Sequence, residues 1–173
     1  MKKICLSLLI FLLIFTLGAC SVQSTANTKP EYLRIHIRAN SNAEIDQTIK
    51  YQVKSAVVEY LTPLVSEMKS KSDAINKIND HLNDINQVCD KTLENNGFNY
   101  KATAKINNEK FPTRNYGNFT LQSGYYDALI IELGEGIGDN WWCVVYPPLC
   151  FTGTGETVYK SKIIDIINKF KGE

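Results

Sequence analysis

The sequence is poor in the residues that build metal centres and strongly charged surfaces. It has two histidines, His36 and His81, and neither stands at a zinc-ligand spacing from a cysteine or a carboxylate. Lysine and arginine number 19 against 18 aspartates and glutamates, with no long basic block, which argues against a nucleic-acid-binding protein. There is no Gly-x-Ser-x-Gly nucleophile motif, and the glycines of residues 134–138 lack the spacing of a dinucleotide-binding fingerprint. We therefore expect no metal, no cofactor, no nucleic acid and no small-molecule substrate.

The first twenty residues have the pattern of an export signal. Two lysines precede an uncharged apolar run over residues 4–17, which is shorter than the about 20 residues of a membrane-spanning helix. The run ends in a Leu-Gly-Ala-Cys tetrapeptide that looks like a bacterial lipobox. We expect residues 1–19 to be a lipoprotein-type signal peptide, Cys20 to carry lipid that anchors the protein to a membrane, and residues 20–31 to be a polar tether. An ordinary cleaved signal peptide or an uncleaved anchor is the alternative.

Residues 32–38 alternate strictly between apolar and polar side chains, which predicts a half-buried strand. One face carries Leu33, Ile35 and Ile37, and the other carries Arg34, His36 and Arg38. The favoured interpretation of the basic face is a solvated face of an edge strand. An anion-binding or proton-transfer site is the alternative.

Two helices are predicted next from apolar residues at three- and four-residue steps. The first follows a cap at residues 40–42, has an apolar stripe from Ile45 to Leu64, and ends or kinks at Pro63. The second follows a cap at residues 72–73 and closes at residues 95–97, with a glycine as a left-handed cap.

The second half of the chain predicts several strands and a final helix. We expect strands at residues 100–106, 118–121, 126–133 and 141–146, turns at 107–108 and 123–124, a flexible loop at 134–140, and a helix at 156–170. Hydrophobic residues make up 44% of the chain, typical of a folded protein. The prediction is one α+β domain over residues 32–173, in which an N-terminal strand and two helices pack on a mainly antiparallel sheet and a helix ends the chain.

Three cysteines remain after the export signal. Cys143 and Cys150 flank a pair of prolines that reverses the chain, so that a disulfide and two buried free thiols are equally supported. Cys89 lies on the apolar stripe of the second helix and is expected in the core. A thiol oxidoreductase would use the first pair, but their spacing differs from Cys-x-x-Cys. A cysteine hydrolase would need His36 or His81 as a base and is disfavoured.

Several segments together resemble one family of proteins. They include Phe-Pro-Thr-Arg-Asn-Tyr-Gly-Asn at residues 111–118, Ser-Gly-Tyr-Tyr-Asp-Ala-Leu at 123–129, and a run from 134 to 151 with Asn-Trp-Trp-Cys and Pro-Pro-Leu-Cys. Arg-Ala-Asn-Ser at 38–41, and the Asp-Gln pair and Val-Lys pair of the first helix, complete the pattern. With these motifs, residues 32–151 resemble the stage II sporulation protein R family of endospore-forming bacteria.

The resemblance implies an exported signal that acts between two cells. Family members are made in the forespore and exported into the space between the two septal membranes, where they activate a membrane-embedded aspartic protease of the mother cell. That protease cleaves the prosequence from the sigma factor E precursor, and the family protein is not known to be an enzyme. The lipobox departs from the family pattern and would hold this protein on the outer face of the forespore membrane.

The density of motifs and aromatic residues between residues 111 and 151 suggests a surface for the protease. Trp141 and Trp142 alternate faces in a strand, so that one ring should enter the core and the other should lie near the surface. The alternative is that the motif residues maintain the fold. The expected interface residues are Arg114, Tyr116, Asn118, Trp141, Trp142, Pro147 and Pro148.

A cell-envelope hydrolase or a ligand-binding lipoprotein is the alternative function. A hydrolase would take its general acid from Glu132, Glu135 or Asp139. The same three carboxylates lack the alternation of a calcium-binding loop, so that a solvated loop is the favoured interpretation of this segment.

Overall fold

The computed structural model describes residues 31–116 and 119–151, which form a single α+β domain. The expected signal peptide, almost all of the tether, Asn118 and the C-terminal helix lie outside these ranges. In chain order the elements are β1 (Leu33–Arg38), α1 (Glu44–Val65), α2 (Lys71–Asp80), α3 (Leu82–Asn95), β2 (Ala102–Phe111), β3 (Arg114–Tyr116), β4 (Phe119–Leu121), β5 (Gly124–Leu133) and β6 (Asn140–Tyr146).

Four strands form the main sheet in the order β2-β5-β1-β6. Strand β1 runs parallel to β5 and antiparallel to β6, and β2 runs antiparallel to β5, so that the sheet is mixed and mostly antiparallel. Strands β3 and β4 form a separate hairpin. The predicted fold class is therefore confirmed.

The placement of β1 at an edge was wrong. It is an inner strand, in which Arg34 pairs with Ala128 on one side and with Val144 on the other. Alternation shows which residues share a face, but the flanking strands come from distant parts of the chain and cannot be read from a local pattern. The basic face of β1 is not solvated either, because Arg34 and His36 on that face are buried.

The helices cover one face of the sheet. Buried residues of α1 recur at four-residue steps, and α1 packs against α3. Together with Leu33, Ile35 and Ile37 they form the main core, which includes Cys89 as expected. The helical residues at its centre are Ile49, Val53, Val57, Leu61, Ile85, Cys89 and Leu93.

Three details of the helices differ from the expectation. Ile45, expected on the buried stripe, is 64% exposed, and Asp46 is the buried residue of the first turn of α1 instead. The second predicted helix is broken at His81 into α2 and α3, and α2 begins at the N-cap Ser70, whose hydroxyl accepts a hydrogen bond from the amide of Asp73. Helix α1 ends at Val65, within one turn of Pro63. No helix in the described ranges is both long and apolar enough to cross a membrane.

Strand β2 is longer than expected. Asn107 and Asn108, taken as a turn, lie inside a ten-residue strand that pairs with β5 along its whole length. Cross-strand pairing overrides the turn preference of asparagine there. On the outer edge of β2, α3 supplies acceptors: Asp90 Oδ1 binds the amide of Ala102 at 2.8 Å, and Asn86 Oδ1 binds that of Ala104 at 2.7 Å. These side chains block further strand pairing at that end.

Candidate functional site on the sheet face opposite the helices

The sheet face that points away from the helices combines buried basic side chains with aromatic rings. We call it the polar–aromatic face. Strand pairing brings His36 beside Trp142 and Arg38 beside Glu132 on this face. Its named members are Arg34, His36 and Arg38 of β1, Glu109 and Phe111 of β2, Tyr126 and Glu132 of β5, and Trp142 of β6.

Arg34 is a fully buried cation in an aromatic setting. Its Nη2 donates a hydrogen bond to the hydroxyl of Tyr116 at 2.8 Å, and its guanidinium carbon lies 4.2 Å from the ring centroid of Phe111 and 4.9 Å from that of Tyr126. Its Nε and Nη1 have no hydrogen-bond partner in the described structure. Burial lowers the pKa of Arg34, and nearby Arg114 acts in the same direction. A buried donor without an acceptor costs about 1–3 kcal/mol, so this arrangement opposes folding.

His36 is 2% exposed and lies flat against Trp142, with ring centroids 3.9 Å apart. Phe111 meets the imidazole edge to face. His36 Nδ1 is 3.4 Å from Glu109 Oε2, but neither ring nitrogen has a partner with hydrogen-bond geometry among the described residues. Burial is the main cause that lowers the pKa of His36, and the charge of Arg38 adds to it, whereas the side chains of Asn140 and Glu109 act in the opposite direction. His36 is therefore neutral at pH 7.

A network of ion pairs lies beside His36. Arg38 donates to Glu132 Oε1 at 2.5 Å and to Glu109 Oε2 at 2.7 Å, and Lys105 Nζ lies 2.8 Å from Glu132 Oε2. The hydrogen bond from Lys105 is the largest cause that lowers the pKa of Glu132, and Arg38 adds to it. An ionised carboxylate held in this way is a poor general acid, which weighs against a hydrolase that would use Glu132.

The β3–β4 hairpin lies over one end of the polar–aromatic face. Exposed Arg114 places its guanidinium carbon 5.6 Å from the ring centroid of Trp142, and Phe119 meets the ring of Tyr32 edge to face. Three of the expected interface residues, Arg114, Tyr116 and Trp142, thus lie around one corner of the domain.

The other expected interface residues lie elsewhere. Trp141 is on the helix side of β6, partly buried against the main core, with Lys54 Nζ 6.0 Å from its ring centroid. Pro147 and Pro148 follow β6 and are buried. The two tryptophans do occupy opposite sheet faces, but both rings are half-buried, so that neither is fully in the core.

The glycine-rich loop is tightly held, contrary to the expectation of a flexible segment. Asn40 Oδ1 accepts from the amide of Glu135 at 3.0 Å, and the amide of Gly138 donates to the Ala39 carbonyl at 2.9 Å. A Cβ atom at Gly138 would collide with the backbone carbonyl of Ser41. Only glycine permits this close approach of two backbones. Composition alone suggests a flexible loop because it does not show this contact.

Asp46 anchors the same region. It accepts hydrogen bonds from Asn40 Nδ2 at 2.9 Å, Ser41 Oγ at 2.6 Å and the Tyr100 hydroxyl at 2.7 Å. Burial acts to raise the pKa of Asp46, but these hydrogen bonds together outweigh it and lower the pKa. The motif residues at the start of α1 and in the glycine-rich loop therefore hold the fold together.

Cys143 and Cys150 are joined by a disulfide, with their Cα atoms 6.3 Å apart. Cys143 is fully buried, which does not suit an oxidoreductase cysteine because such a thiol must be accessible. Cys89 is a free thiol in the core, and burial raises its pKa to about 12. Within residues 31–116 and 119–151, no group of three or more histidine, cysteine or carboxylate side chains could hold a metal ion.

Comparison with known proteins places these features in a family. The family model described as Stage II sporulation protein R (spore_II_R) matches residues 29–156. The chain belongs to the stage II sporulation protein R family. All residues of the fold and of the polar–aromatic face described above lie inside the matched region.

The chain is also similar to a curated protein of the same description. The chain is 38% identical over 128 residues to the Stage II sporulation protein R of Bacillus subtilis (strain 168), which covers 73% of this chain and 57% of that protein. The chain therefore matches little more than half of the relative's length. No solved structure is significantly similar to the chain. Membership of the family supports a role in sporulation.

Proposed function

We propose that this protein is an exported sporulation signal that activates a membrane-embedded aspartic protease of the mother cell. The protease would then cleave the sigma factor E precursor. The observation that carries the proposal is the family match over residues 29–156, which spans the described domain. The ion pairs of Glu132 add support, because they disfavour the hydrolase alternative.

The N-terminal sequence supports an exported location. Its positive start, apolar run and lipobox-like cysteine fit export followed by lipidation of Cys20. Each buried methylene of an acyl chain adds about 0.8 kcal/mol of membrane affinity. The protein would then act from the outer face of the forespore membrane, facing the mother-cell membrane across the septal space.

The corner formed by Arg114, Tyr116 and Trp142 is the proposed contact with the protease. Arginine and aromatic residues dominate the energetics of protein interfaces, and Trp142 is held rigid by its stack on His36. Activation needs no chemistry from this protein. If it binds the active form of the protease more tightly by about 1.4 kcal/mol, it shifts the population of that form tenfold.

Reconstitution in a non-sporulating host tests the proposal. The full chain, with its own export signal, is produced beside the cognate membrane protease and the sigma factor E precursor, and the size of the precursor is followed. We expect shortening only when the chain and an active protease are both present. A protease without its active-site aspartate is the control. No shortening, with the chain folded and exported and the protease present, would contradict the proposal.

A cysteine variant separates signalling from anchoring. Cys20→Ser removes the lipid-bearing thiol and leaves the described domain unchanged. We expect weaker signalling because the protein then diffuses away from the membrane that faces the protease. Equal signalling by Cys20→Ser and wild type would show that lipid is dispensable.

A further inference from the structure

The most exposed large apolar side chain in the described part of the chain belongs to the glycine-rich loop. Ile137 is 72% exposed, near the centre of the loop at residues 134–139. A single aliphatic residue at a protein surface is common and by itself needs no explanation. Ile137 differs from the other exposed apolar residues in how firmly its backbone is held.

Hydrogen bonds fix the whole loop. Each of the six backbone amides from residue 134 to residue 139 donates a hydrogen bond, at distances between 2.6 and 3.4 Å. Buried Lys50 also donates from its Nζ to the carbonyl of Asp139 at 3.0 Å, at the end of the loop. The acceptors of the six amides are the carbonyl oxygens of Ala39, Asn40, Lys101 and Leu133 and the side-chain oxygens of Asn40 and Asn42.

The glycines on either side of the isoleucine complete this arrangement. Gly136 has a φ of +63°, which other residues rarely adopt, and Gly138 lies against the backbone of Ser41. The loop therefore holds Ile137 in one position before any partner binds. A contact that is preorganised in this way loses little conformational entropy on binding.

Exposed carboxylates border this aliphatic side chain. Glu135 and Asp139 are exposed and are each two residues away from it along the loop. The loop is bonded to residues 39–42, directly before α1, and Glu44 is exposed in the first turn of that helix. The same turn carries Ile45, which is 64% exposed. This end of the domain thus presents aliphatic side chains with an acidic border.

The acidic border decides between three candidate partners. A lipid surface with anionic headgroups would repel these carboxylates. A second copy of this chain, docked through the same surface, would bring two acidic borders together and weaken the association. A protein with a basic surface has the complementary charge. A pocket in that surface is needed, because one side chain on a narrow loop buries little area against a flat surface.

We propose that Ile137 inserts into an apolar pocket with a basic border on the membrane-embedded protease. This inference rests on the proposed signalling function, from which it takes the identity of the partner. The contact is separate from the first one: the loop is bonded to Ala39, directly after β1, whereas Tyr116 of the proposed corner is bonded to Arg34, near the start of β1. The protease therefore contacts two ends of the domain.

Photocrosslinking tests the contact directly. An amino acid with an aliphatic diazirine side chain replaces Ile137 in the full chain, which is produced with its own export signal beside the cognate protease in a non-sporulating host. We expect an adduct with the combined mass of the chain and the protease. The same probe at Tyr125, which is 64% exposed at the start of β5, should give no such adduct. An adduct of two copies of the chain, adducts with lipid alone, or no adduct would overturn the proposal.

The wild-type chain separates this inference from the proposed function. Processing of the sigma factor E precursor by wild type, without an adduct at position 137, overturns the loop contact alone. An adduct at position 137 without processing by wild type contradicts the proposed activation and supports the loop contact. The absence of both processing and adduct overturns both.

A processing assay measures what the contact contributes. Ile137→Ser removes the aliphatic side chain and keeps the backbone amide, so its urea midpoint should equal that of wild type. We expect precursor processing to fall at least about tenfold, because burial of the isoleucine side chain is lost. Ile137→Leu should retain most of the processing, and Tyr125→Ser, the matched loss of an exposed apolar side chain, should process as wild type does. Equal processing by Ile137→Ser and wild type would overturn the proposal.

A charge reversal tests the basic border and leaves the isoleucine in place. Glu135→Lys should reduce processing about threefold, the size expected for an exposed ion pair. Glu59→Lys makes the same charge change at an exposed position of α1 and should process normally. Equal processing by Glu135→Lys and Glu59→Lys would overturn the charge complementarity from which the partner is inferred.

Discussion

The imidazole of His36 is stacked on the indole of Trp142, with ring centroids 3.9 Å apart and ring planes 16° apart. The two residues are direct partners in the pairing of β1 with β6. Because burial lowers the pKa of His36, the stack joins two uncharged rings at neutral pH. Protonation would place a charge in this buried position, where the cost of burial outweighs the attraction of Glu109, so the stack links the stability of the sheet to pH.

Acidification should therefore destabilise the protein. The folded state has a lower His36 pKa than the unfolded state, so the unfolded state binds the proton more readily. The free energy of unfolding should fall as pH drops below about 6.5, by up to about 1.4 kcal/mol per pH unit, and stop falling below the folded pKa. Urea denaturation at about pH 7.5 and about pH 5.5 measures this difference.

Two variants assign that pH dependence. His36→Phe keeps an aromatic ring against Trp142 but cannot titrate, so its unfolding free energy should be nearly constant across this window. His81→Gln removes the other histidine and should keep the wild-type slope. A slope that survives in His36→Phe would disprove the assignment.

The sequence predicts the helices better than the sheet, for a physical reason. The stripe of Ile49, Val53 and Val57 depends on residues within one turn of each other, and it was found buried. The position of β1 depends on β5 and β6, which follow it only after the three helices. The alternating pattern shows which residues of β1 share a face, but it does not show what covers each face.

The candidate site shows the same limit. The sequence indicates Arg114, Tyr116 and Trp142 through aromatic content, but it does not show that Arg34 and His36 lie under them. A signal was present, because basic residues alternate with aliphatic ones in a strand whose aliphatic face is buried. Whether the basic face of β1 is exposed to solvent or covered depends on the position of the hairpin. That position is set by non-local packing, which a local pattern does not reveal.

Asp46 should be among the most important polar residues for stability. Asp46→Ala leaves Asn40, Ser41 and Tyr100 without their shared acceptor. We expect a loss of about 4 kcal/mol in the free energy of unfolding, because hydrogen bonds to a charged acceptor and the desolvation of their donors are both affected. Tyr100→Phe removes one of the three bonds and should cost about 1.5 kcal/mol. Equal losses in the two variants would contradict a shared anchor.

Two glycines allow crowding to be separated from backbone strain. Gly138→Ala places a methyl group against the Ser41 carbonyl and should destabilise the protein by about 3 kcal/mol, because backbone must move. Gly97 has a φ of +82° and open space around it, so Gly97→Ala should cost about 1 kcal/mol through strain alone. Thermal unfolding of both variants gives the comparison. A larger effect at Gly97 than at Gly138 would refute the proposed backbone contact.

The disulfide should stabilise the fold without being needed for signalling. In the chain-entropy description, a loop closed between Cys143 and Cys150 contributes about 2.5 kcal/mol. The double substitution Cys143→Ala and Cys150→Ala should lower the free energy of unfolding by about that amount and leave processing of the sigma factor E precursor intact at low temperature. Cys89→Ala is the matched control for loss of a buried cysteine side chain. Lost signalling by a folded double variant would instead indicate a redox role.

Arg114 offers the cleanest test of the proposed protease contact, because it is exposed and its removal leaves the buried rings in place. Arg114→Glu reverses the charge beside Trp142 and should reduce precursor processing at least about tenfold, as expected for an arginine at the centre of an interface. Its unfolding free energy should change by less than about 0.5 kcal/mol, since surface substitutions rarely do more. Lys110→Glu makes the same charge change at an exposed residue of β2, and this variant should support normal processing of the precursor. Normal processing by Arg114→Glu would place the protease contact on another surface.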